Sequence, residues 1–441
     1  MPSVAGVLQR GVSNQIPTPT NRPLVVTWNT ATASSLTMQF VVNPMSDLEG
    51  NYSYTIDWGD GTVTAPISTY NDAALSHTYS GSGIKTITFQ QSNSTDPIPC
   101  FNSLSGGSWS QLGLWTIESW GDFPFATCKQ MFYVCTNLTY NVVDGTVPNF
   151  SKLYRQAGAP WANKHQVEQM FVACFALDLD DVSGWDFSNL EDIDGIFDRC
   201  TSAELQNISN DWSSVNSHID AFGDIDSAIW DPSNLDFRTA TQGGGLFKSN
   251  VIATLDGAMD GANWEALGSL GSGMQTNHMF YQTTGSFPNI DTSGWDMSNI
   301  IASQQMFESF TAGDVVAANW DMSSNLSFLN MFAGYTGIDV DVSNWTLNAA
   351  GGINAQGMFA YSTNCDPDFT TWDLDLFSNF NDVGLSATGL TSAQYAANLI
   401  AWDAAGFSNT KTIRFNTTYG SGGTARANLI TAGWSITDNG P

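Results

Sequence analysis

The stretch DVSGWDFSNLEDIDGIF (181–197) returns as DTSGWDMSNIIASQQMF (291–307). Both copies place Trp-Asp, then Ser-Asn, then an apolar pair ending in Phe at fixed offsets. A catalytic centre is made once, whereas a pattern made many times is a building unit. The beat extends in both directions. Trp295, Trp320, Trp345 and Trp372 are spaced by 25, 25 and 27 residues, and Phe280, Phe307, Phe332 and Phe359 run in step with them. Upstream, Phe171, Phe197, Phe222 and Phe247 keep the same beat, with an insertion near 250–275.

A period of about 25 residues falls in the leucine-rich-repeat range, where each unit is a strand followed by a short helix. Within GWDFSNLEDIDGIF, Ser188 and Glu191 read as a capping box, with Asp192 in the first helical turn. Leu190, Ile193, Ile196 and Phe197 then give one apolar helical face. DVSGW and DTSGW alternate like a strand entering a tight turn. A single unit cannot bury its Trp and Phe, but stacked units can. The Asp after each Trp reads as a turn or cap acceptor, with calcium or ligand binding the alternative. Cys135, Cys174 and Cys200 each follow a repeat Phe by three residues (Phe132, Phe171, Phe197). That placement predicts small buried apolar groups stacked on their own copies, with a disulfide or a metal as the alternative.

On either side the period stops. After 390, Thr391 with Gln394 opens a helix over SAQYAANLIAW. TIRF follows as a strand, and ARANLITAGW gives a second helix ended by Gly433, so that 391–441 reads as an α/β capping segment. Before the repeat, LVVTW, LTMQFVV, YSYTIDW, TVTAPI and KTITF are strand-like, and Asp60-Gly61 is a hairpin signal. Residues 1–23 carry the Pro-rich piece QIPTPTNRP and read as an arm that needs a partner to lie against. The expected fold is mainly β with short helices. It comprises an N-terminal arm (1–23), a β-sandwich (24–92), a leucine-rich-repeat-type solenoid (93–390) and the cap (391–441).

Composition bounds the function. At 441 residues the chain exceeds one compact core. Its 42 acidic and 13 basic residues give a net charge of -29, which disfavours nucleic acid and anionic lipid as partners. Asp outnumbers Glu by 35 to 7, a bias towards caps and turns over long helices. No apolar run approaches the 18 or so residues of a membrane span, so no membrane insertion is expected. MPSVAGVLQRGVSNQ lacks the basic and apolar regions of a signal peptide.

No catalytic, cofactor-binding or metal-binding residue is singled out. His77, His165, His218 and His278 are scattered over different units, and the chain has no G-x-S-x-G, H-E-x-x-H, Walker or G-x-G-x-x-G motif. The aspartate runs LDLDD (177–181) and DVDVS (339–343) are the densest candidates for a hydrolytic carboxylate pair. With 35 Asp, however, chance pairs are expected. Calcium held by Asp57 and Asp60 is weighed against plain turn chemistry, and the latter is preferred.

Two family resemblances add to this reading. Asp57-Trp58-Gly59-Asp60-Gly61-Thr62, His77-Thr78-Tyr79, Gly83 and Thr86-Ile87-Thr88 resemble the signature of a PKD domain, an immunoglobulin-like module of cell-surface and secreted proteins. The frame Trp295-Asp296-Met297-Ser298-Asn299, followed by Met331-Phe332, is similar to BspA-type surface leucine-rich repeats of bacterial surfaces, mobile elements and phages. That resemblance is strong over 170–375 and blurs at 200–275, where Trp212, Trp230 and Trp264 are unevenly spaced. Together they imply adhesion or recognition. The expectation is a non-enzymatic virion surface protein: a bacteriophage decoration protein, head fibre or tail fibre. It would be anchored to other virion proteins by its arm and directed at a host-surface glycan or protein, with homo-oligomerisation left open. The alternatives are a bacterial cell-surface adhesin and a glycan-degrading attachment protein.

Overall fold

The computed structural model describes residues 21–31, 36–40, 42, 52–92, 97–103, 114–153, 167–179, 182, 184–201, 214–215, 217–225, 244–248, 251–252, 274–285, 292, 295, 297–311, 313–384 and 389–441. Of the expected arm only Asn21, Arg22 and Pro23 fall among them, and His165, Trp212, Trp230 and Trp264 lie outside.

The N-terminal strands are β1 (Leu24–Asn29), β2 (Thr37–Gln39), β3 (Tyr54–Asp57), β4 (Ser76–Thr78) and β5 (Ile84–Gln91). They are followed by β6 (Ile98–Pro99), β7 (Leu114–Ser119), β8 (Phe125–Thr127) and β9 (Thr139–Tyr140). These runs are rich in β-branched and aromatic residues, and in β5 Ile87, Phe89 and Gln91 turn inward while their neighbours face out. The main sheet has the order β3-β5-β1-β7-β9, antiparallel except for the last pair. This corrects the expected sandwich. The strands of 24–92 do not close on themselves, because β1 takes β7 as its second neighbour. β2 and β4 form only a separate two-stranded pair. The reason is edge protection: β7, supplied from beyond the sandwich residues, covers an edge of β1 that would otherwise stand unpaired. The hairpin at Asp60-Gly61 also differs from the two-residue form. Trp58 and Thr62 bond across three residues, with Gly59 and Gly61 at φ 73° and 91°.

Beyond the sheet, the leucine-rich-repeat solenoid is not formed. Between 120 and 384 the described residues contain no α-helix, and their strands are two or three residues long. Each unit is instead a run of tight turns. Around Phe197, the N–H groups of Ile196, Asp198 and Cys200 bond the carbonyls of Ile193, Gly195 and Phe197, each three residues back. Two residues before and two after the Phe, the backbone is left-handed: Gln130 and Val134 at φ 56° and 57°, Gln169 and Ala173 at 56° and 55°, Gln305 and Ser309 at 56° and 57°. A left-handed residue at every fourth position cannot belong to an α-helix. Leu190, Ile193, Ile196 and Phe197 mimic a helical face because successive three-residue turns also bring every third residue inward. Ser188 caps no helix, since its N–H and Oγ donate to Asp186 at 3.0 and 2.6 Å.

The turns stack into a ladder. The N–H groups of Phe171, Phe197, Phe307 and Phe332 donate to the carbonyls of Ile196, Ala221, Met331 and Met358 at 2.8–3.0 Å, each time to the residue before the next Phe. Successive rings of Phe132, Phe171, Phe197, Phe222, Phe247, Phe280, Phe307, Phe332 and Phe359 lie 5.3–6.3 Å apart with planes within 23°. Trp295, Trp320, Trp345 and Trp372 form a second column at 5.9–6.1 Å. The indole N–H groups of its last three members donate to the carbonyls of Thr292, Ala317 and Val342. Each ring removes on the order of 150–250 Å² from water. One continuous apolar cluster runs from Leu24 to Trp434. The ladder also absorbs unequal spacing, because Phe132 and Phe171 are adjacent rungs 39 residues apart and Phe247 and Phe280 are adjacent 33 apart.

After the last rung the chain becomes helical. Thr391 accepts the Gln394 N–H at 3.1 Å and caps α1 (Ser392–Ala405), which Gly406 ends at φ 64°. α2 (Gly423–Thr431) packs on it, beside the parallel strands Thr412–Arg414 and Ser435–Thr437.

Candidate functional site

The ladder makes its interior uniform and leaves its exterior free to vary. The residue before each Phe is buried and apolar in every unit: Met131, Met170, Ile196, Ala221, Leu246, Met279, Met306, Met331 and Met358. Two residues after the Phe the series is Val134, Ala173, Arg199, Asp224, Gln282, Ser309, Gly334 and Tyr361, of which Ala173 is buried and Tyr361 is 60% exposed. Two residues before it, Gln130 pairs with Gln169 at 2.7 Å, and Gln130 also takes the amide of Asn102, the residue after Phe101, at 3.1 Å. Further along, His278 Nε2 meets Gln305 Oε1 at 2.7 Å. Glycine stands in this column at 195, 245 and 357, and at the last two a Cβ would overlap the carboxylate oxygen of Asp220 and the amide oxygen of Asn330.

The aspartates are taken up by the backbone. Those after a Trp accept the N–H two residues on: Asp186 from Ser188, Asp321 from Ser323 and Asp373 from Asp375, each at 3.0 Å. Another set ties neighbouring units together. Asp314 accepts from Ile338 N–H, Asp339 from Asp366 N–H and Asp366 from Thr391 N–H, at 2.7–2.9 Å. Of the two aspartate runs, Asp180 and Asp181 lie outside the described residues, while Asp341 is held by the N–H and Oγ of Ser343. Burial raises Asp339 above the ordinary carboxylate range. It pushes Asp198 up to about 6, although the Arg199 guanidinium at 3.1 Å opposes the shift. Asp57 and Asp60 accept the N–H groups of Gly59 and Thr62, and Asp60 also meets His77 Nε2 at 2.8 Å, which lowers its pKa. Among the described residues no group of three or more His, Cys, Asp or Glu is placed to hold a metal ion. The three described histidines do not converge. His77 stacks on Trp58, His278 lies on the ladder's amide column, and His218 is buried at 1% exposure four residues before Phe222.

All six cysteines are buried free thiols. Cys174 and Cys200 do more than fill space. Their Sγ–H groups donate to the carbonyls of Phe132 and Phe171, each at 2.9 Å. At the same position of later units Thr283 donates to Phe247 O and Ser362 to Phe332 O. Spacing alone presented this column as apolar, whereas the hydroxyl residues at its other positions were the available sign of a donor. Cys100 and Cys128 escaped notice because no repeat Phe precedes them by three residues, yet their sulfurs are 3.7 Å apart.

Where sheet and ladder join, a cleft of about 260 Å³ is lined by Arg22, Asp122, Thr146, Asn149, Phe150 and Asp186. Among the described residues its one lining cation is taken up: Arg22 Nε and backbone N–H both donate to Asp122, at 2.9 and 2.7 Å, and Nη1 donates to Asp144 O. No described helix is long and apolar enough to cross a membrane.

Residues 115–234 and 274–402 match the model of a family described as "Mycoplasma protein of unknown function, DUF285". No curated protein and no solved structure matches the chain.

Proposed function

We propose, from the premise that the chain belongs to the DUF285 family, that it is a non-enzymatic recognition protein displayed on the outside of a virion. It would serve as a decoration protein, head fibre or tail fibre. The observation that carries this reading is the contrast between the invariant aromatic interior of the ladder and the position two residues after each Phe, where Val134, Arg199, Asp224, Gln282 and Tyr361 differ from rung to rung. A scaffold that fixes backbone positions and leaves outward side chains unconstrained suits binding, and loops on such arrays carry the binding face. The carboxylates of Asp186, Asp321, Asp341 and Asp373 are engaged by their own turns, which supports a structural use of the Asp excess over hydrolysis. The partners are other virion proteins, met through residues 1–23, and a host-surface glycan or protein. A bacterial cell-surface adhesin is the second reading, favoured by the cellular organism in the family's description. Mass spectrometry of purified virions tests the choice. A fixed copy number on particles is expected, and its absence there, with protein found on a bacterial envelope, would transfer the role to an adhesin.

A further inference from the structure

Cys100 follows β6 and Cys128 follows β8, and these two strands pair in parallel with Pro99 opposite Thr127. The two cysteines are therefore the next residues in register, and the Cys100 N–H bonds Thr127 O at 3.3 Å. Neighbouring strands run about 4.8 Å apart, inside the Cα separation of roughly 4.4–6.8 Å that a disulfide spans. Their sulfurs already face each other at 3.7 Å in the core. The ladder thiols differ in kind, since Cys174 and Cys200 point at carbonyl oxygens of neighbouring units.

We propose that Cys100 and Cys128 are a modification site, a thiol pair that closes to a disulfide when the folding chain meets an oxidising medium. A small-molecule disulfide such as oxidised glutathione is the oxidant. One cysteine thiolate attacks it, breaking its S–S bond and releasing one glutathione thiolate. The second cysteine thiolate then attacks the protein sulfur of the mixed disulfide and releases the other glutathione. Two protein thiols are oxidised, one glutathione disulfide is reduced to two thiols, and the two cysteine protons pass to the departing glutathiones. In the folded chain burial holds the Cys100 thiol well above its ordinary pKa and denies the oxidant access, so closure belongs to folding, before the β6–β8 pairing is sealed. The bridge would close a loop that contains β7, the strand joining the N-terminal sheet to the ladder. It goes beyond the recognition role and does not depend on it, although structural disulfides belong to exterior compartments.

The test uses the full chain, refolded in a glutathione redox buffer and then alkylated in denaturant. Trypsin releases residues 86–129 as one peptide carrying both cysteines, and cleavage after Glu118 divides it. The expected result is that the two halves stay together until reduced, while Cys135, Cys174, Cys200 and Cys365 are alkylated. Separate, alkylated halves, or bridges scattered over all six cysteines, would overturn the proposal. Cys100→Ser and Cys128→Ser supply the second measurement. Oxidation should raise the thermal midpoint of the natural chain by several degrees and leave that of each variant unmoved. If the variants do not fold, the peptide map of the natural chain decides alone.

Discussion

Phe307 and Phe332 lie with their planes within 1° and their centroids 5.5 Å apart, while the Phe307 N–H donates to the Met331 carbonyl at 2.8 Å. Ring and backbone therefore report the same junction between two units, one through dispersion and burial, the other through a hydrogen bond. Phe307→Ala should cost about 3–5 kcal/mol, as should Phe332→Ala. Because the rings touch, the double variant should fall short of the sum by about 0.5–1.5 kcal/mol. Urea denaturation followed by tryptophan emission measures both, and strict additivity would show that the rings are not coupled.

Gly357 sits at φ 63° beneath the side chain of Asn330. Gly357→Ala should destabilise by about 1–3 kcal/mol, through a strained left-handed alanine and the displaced amide. Gly440, also left-handed at φ 88° but with nothing near its missing Cβ, should lose less on the same change. Equal losses at the two sites would mean that the rung above Gly357 yields freely. Thermal midpoints decide between these outcomes.

Much of this architecture was legible in the chain, and the misreadings have physical causes. The positions of Phe and Trp gave the junctions between units, because only residues that stack on their own copies recur so regularly. Helix and turn were confused because Leu190, Ile193, Ile196 and Phe197 have the same inward spacing in both. The sign separating them was the Asp excess. Asp and Asn reach the N–H two residues on, as Asp186, Asp341 and Asp373 do, and Glu is one methylene too long for it. The joining of β7 to β1 left no sequence signal, since strand pairing across 86 or more residues depends on no local pattern. Of the candidate sites, the turn role of Asp57 and Asp60 could be read from their Gly neighbours, whereas the approach of Cys100 to Cys128 required the register.

Cys174 donates to the Phe132 carbonyl from a position that Thr and Ser occupy in other units. Cys174→Ser should therefore be close to neutral, while Cys174→Val should lose about 0.5–1.5 kcal/mol, since the Phe132 carbonyl gives up one of two donors and keeps the Cys135 N–H at 3.1 Å. A valine variant as stable as the natural chain would reduce the thiol to a space filler. Chemical denaturation of the two variants side by side is the measurement.

His218 occupies an inward position that Val167 and Ile193 fill in preceding units, and burial pushes its pKa down to about 4. Between the ordinary value of 6.5 and 4 the unfolded chain takes up a proton that the folded chain refuses. Stability should therefore be fully present above pH 6.5 and drain away as pH falls towards 4, by about 1.4 kcal/mol per unit. Comparing the natural chain with His218→Ile isolates this slope, because Asp198, with its pKa of about 6, titrates in both. Parallel pH profiles would show that His218 is not the acid-sensitive group.

The 39-residue and 33-residue steps between adjacent rungs carry a consequence of a different order. Neither changes the distance from one ring to the next, so the chain uncouples its reach from its length. Adding a rung extends the ladder, while adding residues within a step leaves the spacing of its rings unchanged. Chains built on the same count of phenylalanines would therefore reach equally far whatever the length of each step.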